Sequence, residues 1–245
     1  MTTAPVADQR RLLDIQALDT RAARLGHQRR SLPVLESIAE LEGRLEDVRR
    51  AQVEERTVVG DTRREVAKAE SDVEQVRQRA ARHQGRLDSG AVSAKEAQAL
   101  QSELTQLAKR QGDLEEVELE VMERLEQAEG RLAELEAQEA AIAADIARHT
   151  EARDAEWATI DAELESIATE RAAVAGEVEP ALLALYDRVR ERTGGLAAIA
   201  LYGSRTEGTQ LDFSLTELDA IHSAPPEQVV QHEDYGYIIV RMEPK

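Results

Sequence analysis

Residues 87–100, LDSGAVSAKEAQAL, separate two long runs of heptad repeats and decide how the chain folds. Before this stretch, mostly apolar residues recur at alternating steps of three and four from Ile38 to Leu87, with polar interruptions that include Gln52, Glu55, Thr62 and His83. After it, the same rhythm runs from Ala97 to Ile146, and no proline occurs from Val34 to Glu179. A repeat of this length is typical of supercoiled helices. The pattern therefore predicts a coiled coil.

The break between the two runs has the chemistry of a tight turn between helices. Gly90 can adopt a left-handed backbone after the first helix, and Ser93 with Glu96 fits a capping box that opens the second. A connection this short makes two long helices antiparallel neighbours. We therefore predict a hairpin with its tip at residues 89–92. The line of heptad positions on the first helix, its seam, packs against the corresponding seam of the second helix.

The predicted hairpin occupies residues 1–179, with helices at about 6–32, 34–88 and 93–178. Pro33 interrupts the outgoing arm, because proline inside a helical pattern kinks or ends the helix. The returning helix is too long to be matched by residues 34–88 alone. We therefore expect the first helix to continue the outgoing arm through a kink at Pro33. Near Arg153 the seam contains a stutter, which locally unwinds a supercoil.

Composition restricts the class of protein. Charged residues make up 33% of the chain and aromatic residues only 2%, which is coiled-coil usage. Five of the six aromatic residues lie beyond Leu185, so the material for a compact core is confined to the C-terminal part. We place the domain boundary near Pro180. The expected fold is mainly α, a long kinked antiparallel coiled-coil hairpin with a small C-terminal α/β domain at residues 180–245.

The net charge of −18 is unevenly distributed along the chain. Residues 1–92 sum to +1 and residues 93–245 to −19, which favours pairing of an Arg-rich outgoing arm with an acidic returning arm. The overall acidity disfavours indiscriminate polyanion binding. With no cysteine, no signal-peptide pattern and no apolar run long enough to span a bilayer, we expect a cytoplasmic protein without a membrane partner.

The C-terminal segment has the pattern of a small α/β domain. A helix at 181–192 follows Pro180 and ends at a Gly194-Gly195 signal, and a second helix begins with the capping box at Ser214. Four short strands are predicted, at residues 196–202, 211–213, 229–230 and 237–241. A turn is predicted at residues 203–210 and another at 233–236.

Several short motifs follow one another in order along nearly the whole chain: Leu13–Asp19, Leu32-Pro33, Ser89–Val92, Leu215–Leu218 and Gly236–Arg241. Their order and spacing resemble a bacterial family that joins a coiled-coil hairpin to a C4-type zinc ribbon. The resemblance implies a zinc-ribbon-like C-terminal domain. It also implies an adaptor, a chaperone-like regulator or a nucleic-acid binder without established catalysis.

The four cysteines that hold zinc in that family are replaced in this chain. In the family, each Cys-x-x-Cys segment forms a turn called a knuckle. The cysteine positions of the first knuckle are occupied here by Thr206 and Thr209, and those of the second by His232 and Tyr235. Only histidine among these is an ordinary zinc ligand, and one imidazole cannot assemble a tetrahedral site. We therefore expect a ribbon-like domain with neither zinc nor another cofactor, in which these four residues are relics of a lost metal site.

Other interactions must then replace the stabilisation that zinc supplies to a small ribbon. Hydroxyl groups of the threonines can cap the amides of the knuckles. Docking against the helix at 181–192 can add buried area. Aromatic side chains can supply a small core, formed by Tyr202, Phe213, Tyr235 and Tyr237.

No catalytic constellation is present in the sequence. The five histidines are scattered, and neither a metalloprotease motif nor a nucleophile elbow nor a phosphate-binding loop occurs, so we predict that the protein is not an enzyme. The one basic concentration surrounds the hairpin tip and comprises Arg77, Arg79, Arg82, Arg86 and Lys95, with His83 among them. These cations either pair with acids of the returning arm or form a contact surface for an acidic protein or nucleic acid.

These observations favour a non-enzymatic cytoplasmic scaffold or adaptor that presents the hairpin and the ribbon-like domain to a macromolecular partner, with a protein as the first expectation. The alternative is a nucleic-acid-binding, regulatory module that uses the basic tip and the ribbon-like domain. Self-association into a homo-oligomer through uncovered seam residues is a third expectation.

Overall fold

The computed structural model describes residues 2–207, 209, 211 and 213–243. The protein is mainly helical, a long helical hairpin followed by a small C-terminal sheet domain, which confirms the predicted fold class. Its helices are α1 (Val6–Arg30), α2 (Pro33–Asp88), α3 (Ala94–Gly176), α4 (Pro180–Thr193) and α5 (Leu215–Ser223). The three long helices begin and end within two residues of their predicted bounds. None of the described helices has the length and apolar character needed to cross a bilayer.

The chain divides into two compact units, Glu36–Thr150 and Met1–Leu35 together with Glu151–Lys245. This division differs from a boundary near Pro180. The reason is a shared core, because Leu12 and Ile15 of α1 pack with Leu182 and Tyr186 of α4. The small domain therefore belongs to the same compact unit as α1 and the end of α3.

In the unit Glu36–Thr150, α2 and α3 are antiparallel and meet along the predicted seam. The buried positions of α2 in this unit are Ile38, Gln52, Val59, Thr62, Ala69 and Val73. Those of α3 are Leu100, Val121, Ala128 and Ile142. All of them are a and d positions of the heptads read from the sequence. The heptad phase therefore agrees with the structure on both arms.

Ion pairs flank the seam on both sides and join the two arms. On one side they follow the heptad spacing, with N–O distances of 3.1, 2.6 and 2.6 Å for Arg56–Glu136, Arg63–Glu129 and Arg77–Glu115. On the other side they are Arg124–Glu65 at 2.6 Å and Arg131–Glu55 at 2.8 Å. The pairs on the first side follow the charge asymmetry of the sequence, whereas those on the other side have arginine on the returning arm and glutamate on the outgoing arm. Exposed pairs of this kind each stabilise a protein only modestly.

The tip turns as the sequence predicts. Gly90 has a φ of 68°, in the left-handed region that glycine tolerates. The Ser93 amide donates to the Glu96 carboxylate at 3.0 Å, and the Glu96 amide donates to the Ser93 hydroxyl at 3.3 Å, which completes a capping box. Hydrogen bonds from the Ser93 backbone and side chain, with a smaller effect of Arg86, lower the pKa of Glu96.

The other unit is built around α1, the end of α3, α4 and a four-stranded sheet. The strands are β1 (Ala198–Tyr202), β2 (Arg205–Glu207), β3 (Val230–Gln231) and β4 (Ile238–Met242), in the order β2-β1-β4-β3. β1 and β4 are parallel, and the other two pairs are antiparallel. One face of the sheet packs on α1 and α4 through Ala198 and Ile238, and the other packs on α5 through Ile221.

The second strand lies earlier in the chain than the sequence predicts. Gly203, with a φ of 60°, allows a tight turn that pairs Tyr202 with Arg205, so the strand falls inside the predicted turn at 203–210. Leu211 and Phe213 lie outside any strand, and Asp212 is outside the described residues. Both apolar side chains pack against the core cluster that contains Ile199 and Ile239. Their apolar character therefore indicates burial and not sheet pairing.

A buried polar network joins α1 to α4 and β1. Asp19 accepts hydrogen bonds from Arg171 Nε at 2.7 Å and from the Tyr186 hydroxyl at 2.9 Å, and it lies 3.3 Å from Arg190 Nε. Gln16 accepts from the Ala197 amide at 2.6 Å and also from the Ala198 amide. Burial, followed by the nearby Asp19 charge, raises the pKa of Tyr186 far above its ordinary value.

α1 also pairs with the end of α3 through Trp157. The indole lies between two guanidinium groups, with the Arg29 and Arg153 carbons at 4.4 and 4.6 Å from the ring centroid. Its N–H donates to the Arg29 carbonyl at 3.1 Å. Arg29 lies in the last turn of α1, which ends at Arg30 and is capped by Ser31.

Candidate functional site at the hairpin tip

Some of the tip cations pair with the returning arm. Arg77 lies 2.6 Å from Glu115, and this hydrogen bond raises the pKa of the arginine. The pKa of Glu115 is lowered first by its hydrogen bond from Gln111 and then by Arg77. Arg79 lies 3.9 Å from Glu103. These two arginines therefore follow the simpler of the two predictions, charge pairing between arms.

The remaining predicted cations, Arg82, Arg86 and Lys95, form no ion pair within 4 Å among the described residues. The same holds for Lys109 and Arg110 on the returning arm, whereas the ion pairs nearest the tip use Arg77, Arg79 and His83. Residues 77–110 contain seven Lys or Arg and three Asp or Glu, a local charge of +4 in a chain of −18. The structure thus places uncompensated positive charge at this end of the hairpin.

Two of these arginines, Arg82 and Arg110, line one shallow groove of about 500 Å³ across the two arms, together with Arg79. Arg79 and Arg82 come from α2 and Arg110 from α3, and the lining also includes the apolar Leu107 and the acidic Asp72. Sequence analysis missed Lys109 and Arg110. The antiparallel register could have found Arg110, because it places this residue across the seam from Arg79. The groove can bind a negatively charged group between its arginines.

His83 is a seam residue at the same end of the hairpin. Its side chain is 16% exposed, and its Nε2 lies 3.0 Å from Glu103 and accepts a 3.4 Å contact from Arg79. Its Nδ1 is buried and has no hydrogen-bond partner within the described part of the chain. Because an unsatisfied buried polar atom costs free energy, we expect the seam to be less stable here than in the middle of the arms.

The first degenerate knuckle is closed by a threonine hydroxyl. Thr206 Oγ1 donates to the Thr209 carbonyl at 2.5 Å and accepts from the Leu211 amide at 3.3 Å. The intervening Gly208 lies outside the described residues. The hydroxyl therefore caps a backbone amide of its own turn, as the sequence suggests.

The second degenerate knuckle is closed by an imidazole. His232 is buried, and its Nδ1 accepts contacts from the Asp234 and Tyr235 amides at 3.2 and 3.4 Å. Its ring lies 5.3 Å from that of Phe213 and 5.1 Å from that of Tyr235. Tyr235 stacks on Tyr237 at 5.6 Å but remains 55% exposed. Of the proposed aromatic core, Phe213 and Tyr237 pack against the sheet, and Tyr235 lies at its surface.

The structure therefore joins the four degenerate positions in two local pairs, Thr206 with Thr209 and His232 with Tyr235. Among the described residues, no three His, Cys, Asp or Glu side chains come together as metal ligands. Each turn is closed by backbone amides that donate to a side-chain acceptor, the Thr206 hydroxyl oxygen in one and the His232 Nδ1 in the other.

Comparison with known proteins supports this architecture over most of the chain. The family model described as CT398-like coiled coil hairpin domain matches residues 15–194. The uncharacterized protein Rv2229c of Mycobacterium tuberculosis is 31% identical over 240 residues, which cover 98% of each chain.

Two solved structures share the fold. One from Mycobacterium smegmatis has a TM-score of 0.86 at 30% identity and covers 98% of this chain and 100% of its own. CT398 from Chlamydia trachomatis has a TM-score of 0.69 at 16% identity and covers 96% and 98%. The family match spans both arms of the hairpin, its tip and α4. The chain belongs to the CT398-like coiled-coil hairpin family.

Proposed function

We propose that this protein is a non-enzymatic cytoplasmic scaffold or adaptor whose hairpin tip binds an acidic surface of a macromolecular partner. The observation that carries the proposal is the contrast between the arms and the tip. Arg56 and Arg63 of the arm pair with glutamates of the returning helix, whereas Arg82, Arg86 and Arg110 pair with none in the described hairpin. Unpaired guanidinium groups are the natural ligands of carboxylates and phosphates.

The perturbed titratable groups support a role without catalysis. The carboxylates with lowered pKa are Glu96, Glu115, Glu139 and Glu217, each held by a capping box or by contacts along the seam. Such shifts have structural causes. The raised pKa of Tyr186 belongs to the buried network around Asp19, which joins helices and a strand. These groups therefore have a structural explanation for their perturbation.

A protein partner is favoured over nucleic acid by the charge of the whole chain. The net charge of −18 opposes long-range attraction of a polyanion, and the +4 of residues 77–110 is confined to one end of the hairpin. A local acidic patch on a protein can match a local basic tip. Nucleic acid remains the second candidate because the same arginines suit phosphate groups.

The proposal is tested by reversing the charge of the tip. The variant Arg82→Glu with Arg86→Glu and Arg110→Glu should lose the partner that wild-type protein captures by crosslinking in its native cell. Arg44→Glu with Lys68→Glu is a control for charge reversal elsewhere on the hairpin, since both cations lie away from the tip and form no ion pair in the described hairpin. If the captured protein is retained by the tip variant, the tip is not the binding surface.

A salt-titrated shift assay separates the two partner classes. Steeply salt-dependent binding of a mixed-sequence RNA or DNA, abolished by the tip variant and kept by the control variant, would favour the nucleic-acid module. Absence of such binding at physiological salt, together with loss of a captured acidic protein, supports the scaffold.

A further inference from the structure

On one side of the hairpin the ion pairs between α2 and α3 recur at heptad spacing. We call this series the ladder and each of its pairs a rung, and one position of the series has no ion pair among the described residues. On α2 the arginines of this ladder are Arg56, Arg63 and Arg77, and their partners on α3 are Glu136, Glu129 and Glu115. The steps on both helices are seven residues and then fourteen. The heptad register therefore places one further pair of flanking positions between the last two rungs.

The residues at the missing rung are Glu70 and Met122. A glutamate thus occupies the position where the other rungs have arginine, and a methionine the position where they have glutamate. Met122 is 46% exposed, and Leu119, one helical turn earlier on the same face, is 61% exposed. The interrupted ladder leaves two large apolar side chains adjacent on the surface of α3.

Carboxylates surround this apolar pair. Glu116 and Glu123 are the helical neighbours of Leu119, and Glu126 is a neighbour of Met122. None of these three, nor Glu70 across the seam, forms an ion pair among the described residues. The patch formed by Leu119 and Met122 is therefore apolar at its centre and negatively charged at its rim.

We propose that this patch, which is separate from the basic tip, docks a basic amphipathic helix of another protein. Leucine-like side chains of the docked helix would cover Leu119 and Met122, and its lysines or arginines would meet the rim glutamates. A second copy in the same position would bring two sets of unpaired carboxylates together. An anionic membrane surface would be repelled for the same reason. Charge complementarity thus selects a basic partner.

The test uses the full-length protein and a fluorescently labelled synthetic helix with leucine on one face and lysine on the other. Fluorescence anisotropy should show binding that weakens about tenfold in Leu119→Ser and in Met122→Arg, as expected for the centre of a small interface. Met122→Leu should keep the affinity because it keeps the apolar surface. Met122→Arg should also keep the fold, since arginine there can pair with Glu70.

Two controls distinguish binding at this patch from non-specific hydrophobic binding and from binding at the tip. Val53 is 62% exposed on α2, so Val53→Ser removes an equally exposed apolar group elsewhere and should leave peptide affinity unchanged. Arg82→Glu with Arg86→Glu should also leave it unchanged, so failure of the tip proposal and of this one can be told apart.

Two results would overturn the proposal. One is equal binding of the peptide by wild type and Met122→Arg, or equal binding of a peptide with glutamate in place of lysine. The other is concentration-dependent self-association in sedimentation that Met122→Arg abolishes, because the patch would then be covered by a second copy of the chain.

Discussion

Asp19 is the one buried carboxylate among the described residues, at 5% exposure. Two arginines, from α3 and α4, lie within 3.3 Å of it, and the Tyr186 hydroxyl completes its contacts. Arg171 also reaches Asp187 at 2.9 Å, and its hydrogen bond to Asp19 raises its pKa. A carboxylate in this position is tolerated because its charge is compensated on more than one side.

Replacing Asp19 with Asn should strongly destabilise the protein. The change leaves Arg171 and Arg190 partly buried without the carboxylate, and breaking a buried ion pair in this way costs about 3–5 kcal/mol. Urea denaturation measures the loss. Asp61→Asn is the matched control, because the pair of Asp61 with Arg64 is exposed and should contribute little. Equal midpoints for the two variants would contradict the role assigned to Asp19.

The role of Asp19 could not be predicted from the sequence, although Asp19 ends one of the motifs that carry the family resemblance. Its partners Arg171 and Tyr186 are 152 and 167 residues away in the chain. Periodicity and capping rules describe neighbours in sequence, so contacts at this separation need the tertiary structure. The threonine cap at Thr206 was predictable for the opposite reason, because its acceptor and donor lie within five residues.

Among the helices, the pairing of α2 with α3 contains a buried amide. Gln52 is 2% exposed at a seam position, and it donates to the Leu135 carbonyl at 3.2 Å and to Glu139 at 2.8 Å. Hydrogen bonds from Arg49 and then Gln52 lower the pKa of Glu139. A polar residue at a seam position of a coiled coil commonly fixes register at some cost in stability.

Gln52→Leu should keep or raise the melting temperature while it relaxes the register of the hairpin. Leucine buries more apolar surface at this position, and the amide that selects Leu135 and Glu139 is lost. Cysteines introduced at Val48 and Ile142, which line one groove, should be joined by a short bifunctional maleimide efficiently in the parent and less efficiently in the Leu variant.

Because the chain has no native cysteine, only the two introduced thiols can react in this experiment. Gln75→Leu, at an exposed position of α2, is the control and should not alter crosslinking. A Gln52→Leu protein that melts lower and crosslinks as fully as its parent would show that Gln52 contributes stability and not register.

The regular elements were the most predictable part of the fold. Heptad phase predicted the seam because one wrong step would place charged residues inside it. Strand β2 was not predicted, because the turn that creates it depends on the single left-handed residue Gly203. Leu211 and Phe213 were assigned to a strand from their apolar character, which burial on the sheet explains equally well.

At the scale of the whole molecule, the protein should keep its stability without a metal ion. Thr206 and His232 supply acceptors to the amides of their own turns, so we expect these segments to hold without a cation. We expect EDTA to leave the melting temperature unchanged and native mass spectrometry to give the mass of the chain alone. His232→Ala should lower the melting temperature, since the Asp234 and Tyr235 amides lose their acceptor.

One equivalent of zinc per chain in native mass spectrometry, or a fall in melting temperature on EDTA treatment, would contradict this expectation. Both measurements should use protein purified without a metal-affinity step. Thr206→Val offers a second comparison, because it removes the hydroxyl that caps Leu211 and changes little else.

The charge distribution of the molecule was predictable only in outline. Counting residues gave a basic tip and an acidic returning arm, and the structure adds which cations are paired. Arg77 and Arg79 pair with glutamates of the returning arm, whereas Arg82 and Arg110 line the tip groove and form no ion pair among the described residues. Such a distinction depends on distances across the seam, which composition does not contain.

Trp157 is the single indole of the chain, and it lies against the C-terminal end of α1 between Arg29 and Arg153. Tryptophan fluorescence therefore reports on the contact between α1 and α3 alone, and it needs no added label. Detachment of α1 from α3 would remove the Arg29 guanidinium and the carbonyl that accepts from the indole, and it would hydrate the ring, so the emission maximum would move to longer wavelength. Trp157 is thus an intrinsic fluorescent probe of whether α1 is packed against α3.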